Sequence, residues 1–192
     1  MQPGAERMSR VDTAWLRMDN EVNLMMIVGV WLLRPALTLA ALRERIADKL
    51  LQYPRFRCRV EQDAMGARWV PHAEFSIEHQ VPAAPLRRRR GESERQALQR
   101  LCGELATTPL DPRRPLWEFR LVEDYEGGSA VIARIHHCIG DGIALISVMN
   151  SITDGGSEPP RRRRRPRDAE GWLADAVVRP LGGLAARALA GG

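Results

Sequence analysis

Lysine is nearly missing from this chain: Lys49 is the only one among 29 basic residues. Almost all positive charge is therefore guanidinium, whose planar fork donates paired hydrogen bonds and suits phosphate contacts. Cysteine is scarce as well. Cys58, Cys102 and Cys138 are odd in number and form no CxxC pair. That argues against a disulfide framework or a structural zinc site and fits a reducing compartment. Long apolar runs are lacking too. The longest, Leu24 to Leu33, falls well short of the ~20 residues that span a bilayer, and Met1 to Arg10 carries no apolar signal-peptide core. No internal repeat is found. What remains is a globular balance: 192 residues, 44% apolar and 28% charged, with a formal net charge of +5. The positive excess sits in two runs, Arg87 to Arg90 and Arg161 to Arg165, so basicity belongs to two segments and not to the whole surface.

The spacing of apolar residues predicts an α/β order. Leu24 to Leu33 reads as a buried strand ended by Arg34-Pro35. Thr38 caps a helix to about Leu51, with Leu39, Leu42, Ile46 and Leu50 on one face. Short strands are expected near Phe56 to Glu61 and Ala67 to Val70, joined by a turn at Asp63 to Gly66. Phe75, Ile77, His79 and Val81 alternate with polar residues and predict a half-buried strand. Pro82 to Gly91 reads as a loop. Ser93 and Gln96 form a capping box for a helix with Leu98, Leu101 and Leu105 inward. After a proline-punctuated loop, Leu116 to Tyr125 and Ala130 to His137 predict a hairpin turning at Gly127-Gly128. A third helix is expected from Gly142 to Ile152. The core is expected from the strand 24–33, the helix 38–51, and the apolar faces of 116–125 and 130–137.

The segment that carries chemistry is His136-His137-Cys138-Ile139-Gly140-Asp141-Gly142, where an apolar strand meets a helix. Strand alternation puts His137 with Val131, Ala133 and Ile135, and His136 with Ile132 and Arg134 on the other face. One imidazole is thus expected to reach a substrate. An imidazole near its ordinary range accepts a proton from a hydroxyl and returns it to a leaving group. Gly140 and Gly142 permit a tight bend, and Asp141 can hold it. A structural His-His pair, a metal-binding pair and a Cys138 nucleophile are the alternatives. The side chains diverge, and Cys138 and Asp141 complete no familiar zinc spacing.

This segment resembles the HHxxxDG pattern of CoA-dependent acyltransferases and peptide-synthetase condensation domains. Ser9-Arg10-Val11-Asp12, followed by Trp15-Leu16, resembles the opening of the bacterial-type wax ester synthase/diacylglycerol acyltransferase family. Pro115-Leu116-Trp117 matches that family's PLW element, and Tyr53-Pro54 followed by Phe56-Arg57 is also similar. The resemblance covers about residues 8 to 155. It implies an α/β fold, one chloramphenicol-acetyltransferase-like half with a mixed sheet and helices packed on it. It implies a lipid O-acyltransferase in which His137 is the general base, His136 supports position and Asp141 orients the loop. Gly142 would keep the channel open, and Pro115, Leu116 and Trp117 would shape the acyl side or pack the fold. No cofactor or metal is implied; acyl-CoA is a substrate, and a diacylglycerol or fatty alcohol is the acceptor.

Family members are usually about twice this long, with a second domain closing the channel. The expected layout is an acyltransferase domain over 1–156, an Arg/Pro-rich linker over 157–170, and over 171–192 the start of a linker helix toward a missing C-terminal domain or partner chain. The isolated chain is accordingly expected to have little or no activity. A cytoplasmic protein is expected; Arg161 to Arg165 read first as a solvated linker, with peripheral contact to an anionic membrane, such as the inner face of the plasma membrane, or to lipid inclusions as the alternative. No aromatics interleave with these arginines, so nucleic acid is not an expected partner. A condensation-type domain and a non-catalytic half that docks on a partner are the alternatives.

Overall fold

A computed structural model describes residues 4–64 and 66–140, together with Leu145, Met149 and Ile152. The helix expected from Gly142 to Ile152 therefore lies largely outside the described residues, and the linker and terminal segments wholly so. Nearly all described residues belong to one compact unit, Met1–Ile139.

Within that unit the elements run β1 (Glu6–Arg7), α1 (Arg10–Met18), β2 (Met26–Leu33), α2 (Leu39–Lys49), β3 (Cys58–Asp63), β4 (Gly66–Pro71), α3 (Ile77–Gln80), α4 (Glu94–Ala106), β5 (Trp117–Tyr125) and β6 (Gly128–His136). The described strands form two three-stranded sheets, ordered β1-β4-β3 and β2-β6-β5. Every pairing between them is antiparallel; the one parallel contact described is an isolated bridge, Ala83 to Leu121. The expected α/β fold with helices packed on sheet therefore holds, the named strands pairing antiparallel and the Ala83–Leu121 bridge adding a parallel contact.

Local chemistry explains the helix starts. The Thr38 side chain accepts from Ala41 N–H at the head of α2, and Ser93 and Gln96 close a reciprocal capping box on α4. The β5–β6 hairpin turns through Glu126 (φ 46°) and Gly127 (φ 74°). Positive φ at both central positions matches the twist of a tight hairpin. Gly128 pairs with Tyr125, and a Cβ there would run into the carbonyl of Leu33.

β6 is the central strand of its sheet, and all nine of its residues are buried. On one face Ala130 and Ile132 pack with Val122, Tyr125, Ala84 and the α4 residues Leu98 and Leu105. Elsewhere in the core, Trp117 of β5 meets Phe119 and Phe56 edge-on, with ring centroids 5.7 and 5.8 Å away.

Two expectations change, and one strand was not anticipated. β2 was read as a buried strand; it is instead the edge of its sheet, with Val30 43% and Leu32 61% exposed. A continuous apolar run cannot distinguish the two, because only the long-range pairing decides which strand is central. The alternating run Phe75 to Val81 forms a single helical turn, in which Val81 N–H donates to Ile77 carbonyl at 2.8 Å. The turn is held by Gln80, whose buried amide donates to the carbonyls of Pro115 (3.1 Å) and Trp117 (2.5 Å). The short strand β1 gave no sequence signal; it is two charged residues paired to Arg68 and Trp69.

Candidate active site

Both histidines stand where β6 leaves the sheet. The strand ends at His136, and His137 opens a 3₁₀ turn through Ile139. Two main-chain bonds set the bend. His136 N–H donates to Leu116 carbonyl at 3.0 Å, and His137 N–H donates to Met25 carbonyl at 2.8 Å. The PLW element and the run-in to β2 thus hold the pair from opposite sides.

The two imidazoles are not equivalent. His136 is 4% exposed, and its Nδ1 accepts from Cys138 N–H at 3.0 Å. An accepting Nδ1 assigns the neutral ring's proton to Nε2. That Nε2 is buried without a hydrogen bond and lies 3.7 Å from Asp19 Oδ1. Burial pushes the pKa of His136 below the ordinary imidazole value; the Asp19 carboxylate opposes this and His137 adds to it. Near neutral pH His136 is therefore uncharged, and its Nδ1 braces the turn by accepting from Cys138 N–H. His137 is half-buried, and its ring stacks on the Trp15 indole with centroids 4.7 Å apart and 21° between planes. Between them, strand alternation gives way to the turn, and it is the turn that separates the roles.

Trp15 comes from α1, a helix fixed at several points. Ser9 caps it by accepting from Asp12 N–H at 3.0 Å. The Asp12 carboxylate, 6% exposed, accepts from Arg55 Nη1 at 3.2 Å. Burial raises the Asp12 pKa, and Arg55 and the Ser9 bond only partly offset this. The Ser9-Arg10-Val11-Asp12 element is thus a helix cap plus a buried anchor. At the far end of α1, Asp19 Oδ1 accepts from Met25 N–H at 2.7 Å.

A cavity of about 230 Å³ opens beside His136. Its walls are mostly aliphatic, with Leu16, Leu24, Met26, Val60 and Leu116 among them, and Asp19 and His136 supply polar atoms. The N-terminal element, the PLW element and the histidine pair therefore each send one side chain, Leu16, Leu116 and His136, to one space. Pro115 is buried. Trp117, expected either to shape the acyl side or to pack the fold, is 1% exposed, and its Nε1 donates to Phe56 carbonyl at 2.8 Å inside the aromatic cluster. Asp141 and Gly142 lie outside the described residues. Cys138 is fully buried, and burial pushes its thiol pKa far up, which describes an inert thiol. Among the described residues, no group of three His, Cys, Asp or Glu side chains is placed to hold a metal ion, and no helix is long and apolar enough to cross a membrane.

Asp19 and Met25 were not singled out by sequence, and Trp15 was noted only as part of a motif. The Asp19-Asn20 pair after a helix is a turn signal, but nothing local says that its carboxylate reaches back to the histidine strand.

The sequence model of the family described as wax ester synthase/diacylglycerol acyltransferase catalytic domain matches residues 8–189. The chain belongs to this family. A probable diacylglycerol O-acyltransferase of Mycobacterium tuberculosis is 31% identical over 162 residues, 80% of this chain and 58% of that protein. Wax ester synthase/diacylglycerol acyltransferase 3 of Arabidopsis thaliana is 33% identical over 119 residues, 60% of this chain and 24% of that one. The chain thus spans a quarter to somewhat over half of these relatives. Among solved structures, the wax ester synthase/diacylglycerol acyltransferase of Marinobacter aquaeolei VT8 superposes with a TM-score of 0.59 at 18% identity, over 75% of this chain and 37% of that one. The starter condensation domain of rhizomide synthetase gives 0.62 at 16%, over 78% and 36%. These two likenesses show the shared chloramphenicol-acetyltransferase-like fold of the family.

Proposed function

We propose that this chain supplies the histidine-bearing half of an acyl-CoA-dependent O-acyltransferase acting on a lipid alcohol, a diacylglycerol or a fatty alcohol, with His137 as the general base. The difference between the two imidazoles carries the reading. His136 is buried with its Nδ1 occupied, so His137 is the ring left to take a proton. His137 removes the proton from the acceptor hydroxyl as its oxygen attacks the thioester carbonyl. The tetrahedral intermediate collapses, the C–S bond breaks, and the imidazolium returns the proton to the departing CoA thiolate. No covalent acyl-enzyme is required.

The aliphatic cavity that Leu16 and Leu116 line beside His136 supports an apolar substrate. Its ~230 Å³ lies below the ~300–1,000 Å³ of whole-ligand pockets, so it suits part of a chain. On the family resemblance, Asp141 orients the loop, Gly142 keeps the channel open, and Pro115-Leu116-Trp117 shapes the acyl side or packs the fold. Residues 1–156 form the acyltransferase half and 157–192 lead toward a second domain or partner chain. The arginines of 161–165 favour an anionic lipid surface.

The test is release of free CoA from long-chain acyl-CoA with either acceptor, measured for the chain with a candidate C-terminal partner. His137→Ala lowers turnover by ~10²- to 10⁴-fold. Equal rates for the parent and His137→Ala would remove the proposed base.

A further inference from the structure

We infer that α1 is the positioning device of His137, with Trp15 setting the plane of its ring and Asp19 setting its main chain. This rests on reading His137 as the group that gains and loses a proton. Trp15 and Asp19 face the histidine turn from one helix, one turn apart along it. The 4.7 Å centroid separation and 21° interplanar angle are those of offset stacking. An indole face laid on an imidazole blocks rotation of the ring out of that plane. It also favours the imidazolium, since a cation within about 6 Å of a Trp centroid is attracted by the ring quadrupole. Asp19 works one step removed. Its Oδ1 holds Met25 N–H at 2.7 Å, and Met25 carbonyl holds His137 N–H at 2.8 Å, so the main chain of one residue, Met25, is gripped at both its N–H and its carbonyl between carboxylate and histidine.

The helix can transmit position because it is itself immobile. The Ser9 cap, the buried Asp12–Arg55 pair and buried Leu16 tie it to the rest of the fold. The charged and titratable groups of the surrounding elements are Asp12 and Asp19 of α1, Arg55 in the turn before β3, and His136 and the Cys138 thiol in the chain on either side. Arg10 and Arg17, also on α1, are exposed. Replacing Trp15 leaves all of these charges in place, so a change in the titration of His137 reports the indole.

The experiment is an NMR titration of the imidazole signals in the full chain, for the parent, Trp15→Phe and Trp15→Leu, with backbone spectra to confirm folding. Trp15→Leu is expected to lower the His137 midpoint by about half a unit to one unit, and Trp15→Phe by less, because the smaller ring is the weaker cation host. A structural role alone would leave the midpoint unmoved. In Asp19→Ala, exchange of the His137 amide with solvent is expected to quicken at least ~10-fold as the Met25 main chain loses its hold. An unchanged midpoint in both Trp15 variants, or a raised one, overturns the role of Trp15. Unchanged exchange in Asp19→Ala overturns the role of Asp19. Should Trp15→Leu fail to fold, Trp15→Phe decides between these outcomes. Neither readout needs turnover, so failure of His137 as the base in the CoA assay is a separate result.

Discussion

Breaking the buried pair between Asp12 and Arg55 gives the sharpest stability prediction. The side chains are 9% and 10% exposed and meet at 3.2 Å, and Arg55 also lies 5.3 Å over the Trp69 ring. Removing one partner leaves the other group polar and buried, which costs ~3–5 kcal/mol. In a domain of this size that lowers Tm by roughly 10 °C. Asp12→Leu or Arg55→Met should each show it by thermal or urea unfolding. The double variant Asp12→Leu/Arg55→Met should recover most of the loss. Burial raises the Asp12 pKa in spite of Arg55, so ionised Asp12 is less favoured in the fold than in the open chain. A raised folded pKa contributes stability that is full below the unfolded value and lost as pH rises through the folded one. At neutral pH the ionised pair is therefore no asset over an apolar one. Single variants within ~0.5 kcal/mol of the parent, or losses that simply add in the double variant, would refute this account.

His136 gives a pH dependence of opposite sign. Its pKa is depressed by burial, so the unfolded chain takes the proton first, and stability falls as pH drops below the ordinary imidazole value of 6.5 toward the folded one. His136→Asn, whose side-chain oxygen can still accept from Cys138 N–H, should flatten that part of a stability–pH curve; a curve of unchanged slope would exclude the assignment. Trp117→Phe should cost ~1–3 kcal/mol in urea unfolding, because the buried Phe56 carbonyl loses its partner. No measurable loss would mean that water reaches that carbonyl.

Much of the fold was legible because its signals are local. Thr38, Ser93 and Gln96 announce α2 and α4, and Gly127 marks the hairpin, since caps and turns need particular side chains within a few residues. What was hidden depends on partners far along the chain. β2 looks the same in sequence whether central or at an edge. Ile77 to Gln80 alternates like a strand, yet curls because the Gln80 amide finds the carbonyls of Pro115 and Trp117. Arg134, placed by sequence only on a strand face, is 2% exposed beside its cross-strand partner Glu118, at 2.9 Å, and also donates to Thr108 carbonyl. The site divides in the same way. The motif names both histidines, whereas the stack of Trp15 on His137 and the link from Asp19 through Met25 join segments that no short window contains.

The complete burial of β6 limits how such a site can be altered. A methyl group added to or taken from any of its nine positions is felt by closely packed neighbours on either side, so the strand that presents the histidines has little freedom to vary. Reshaping the cavity for a longer, shorter or bulkier occupant must fall to the surroundings: the loop around Pro109 and Pro112, the α1 face around Leu16, and the half-buried Val60 of β3.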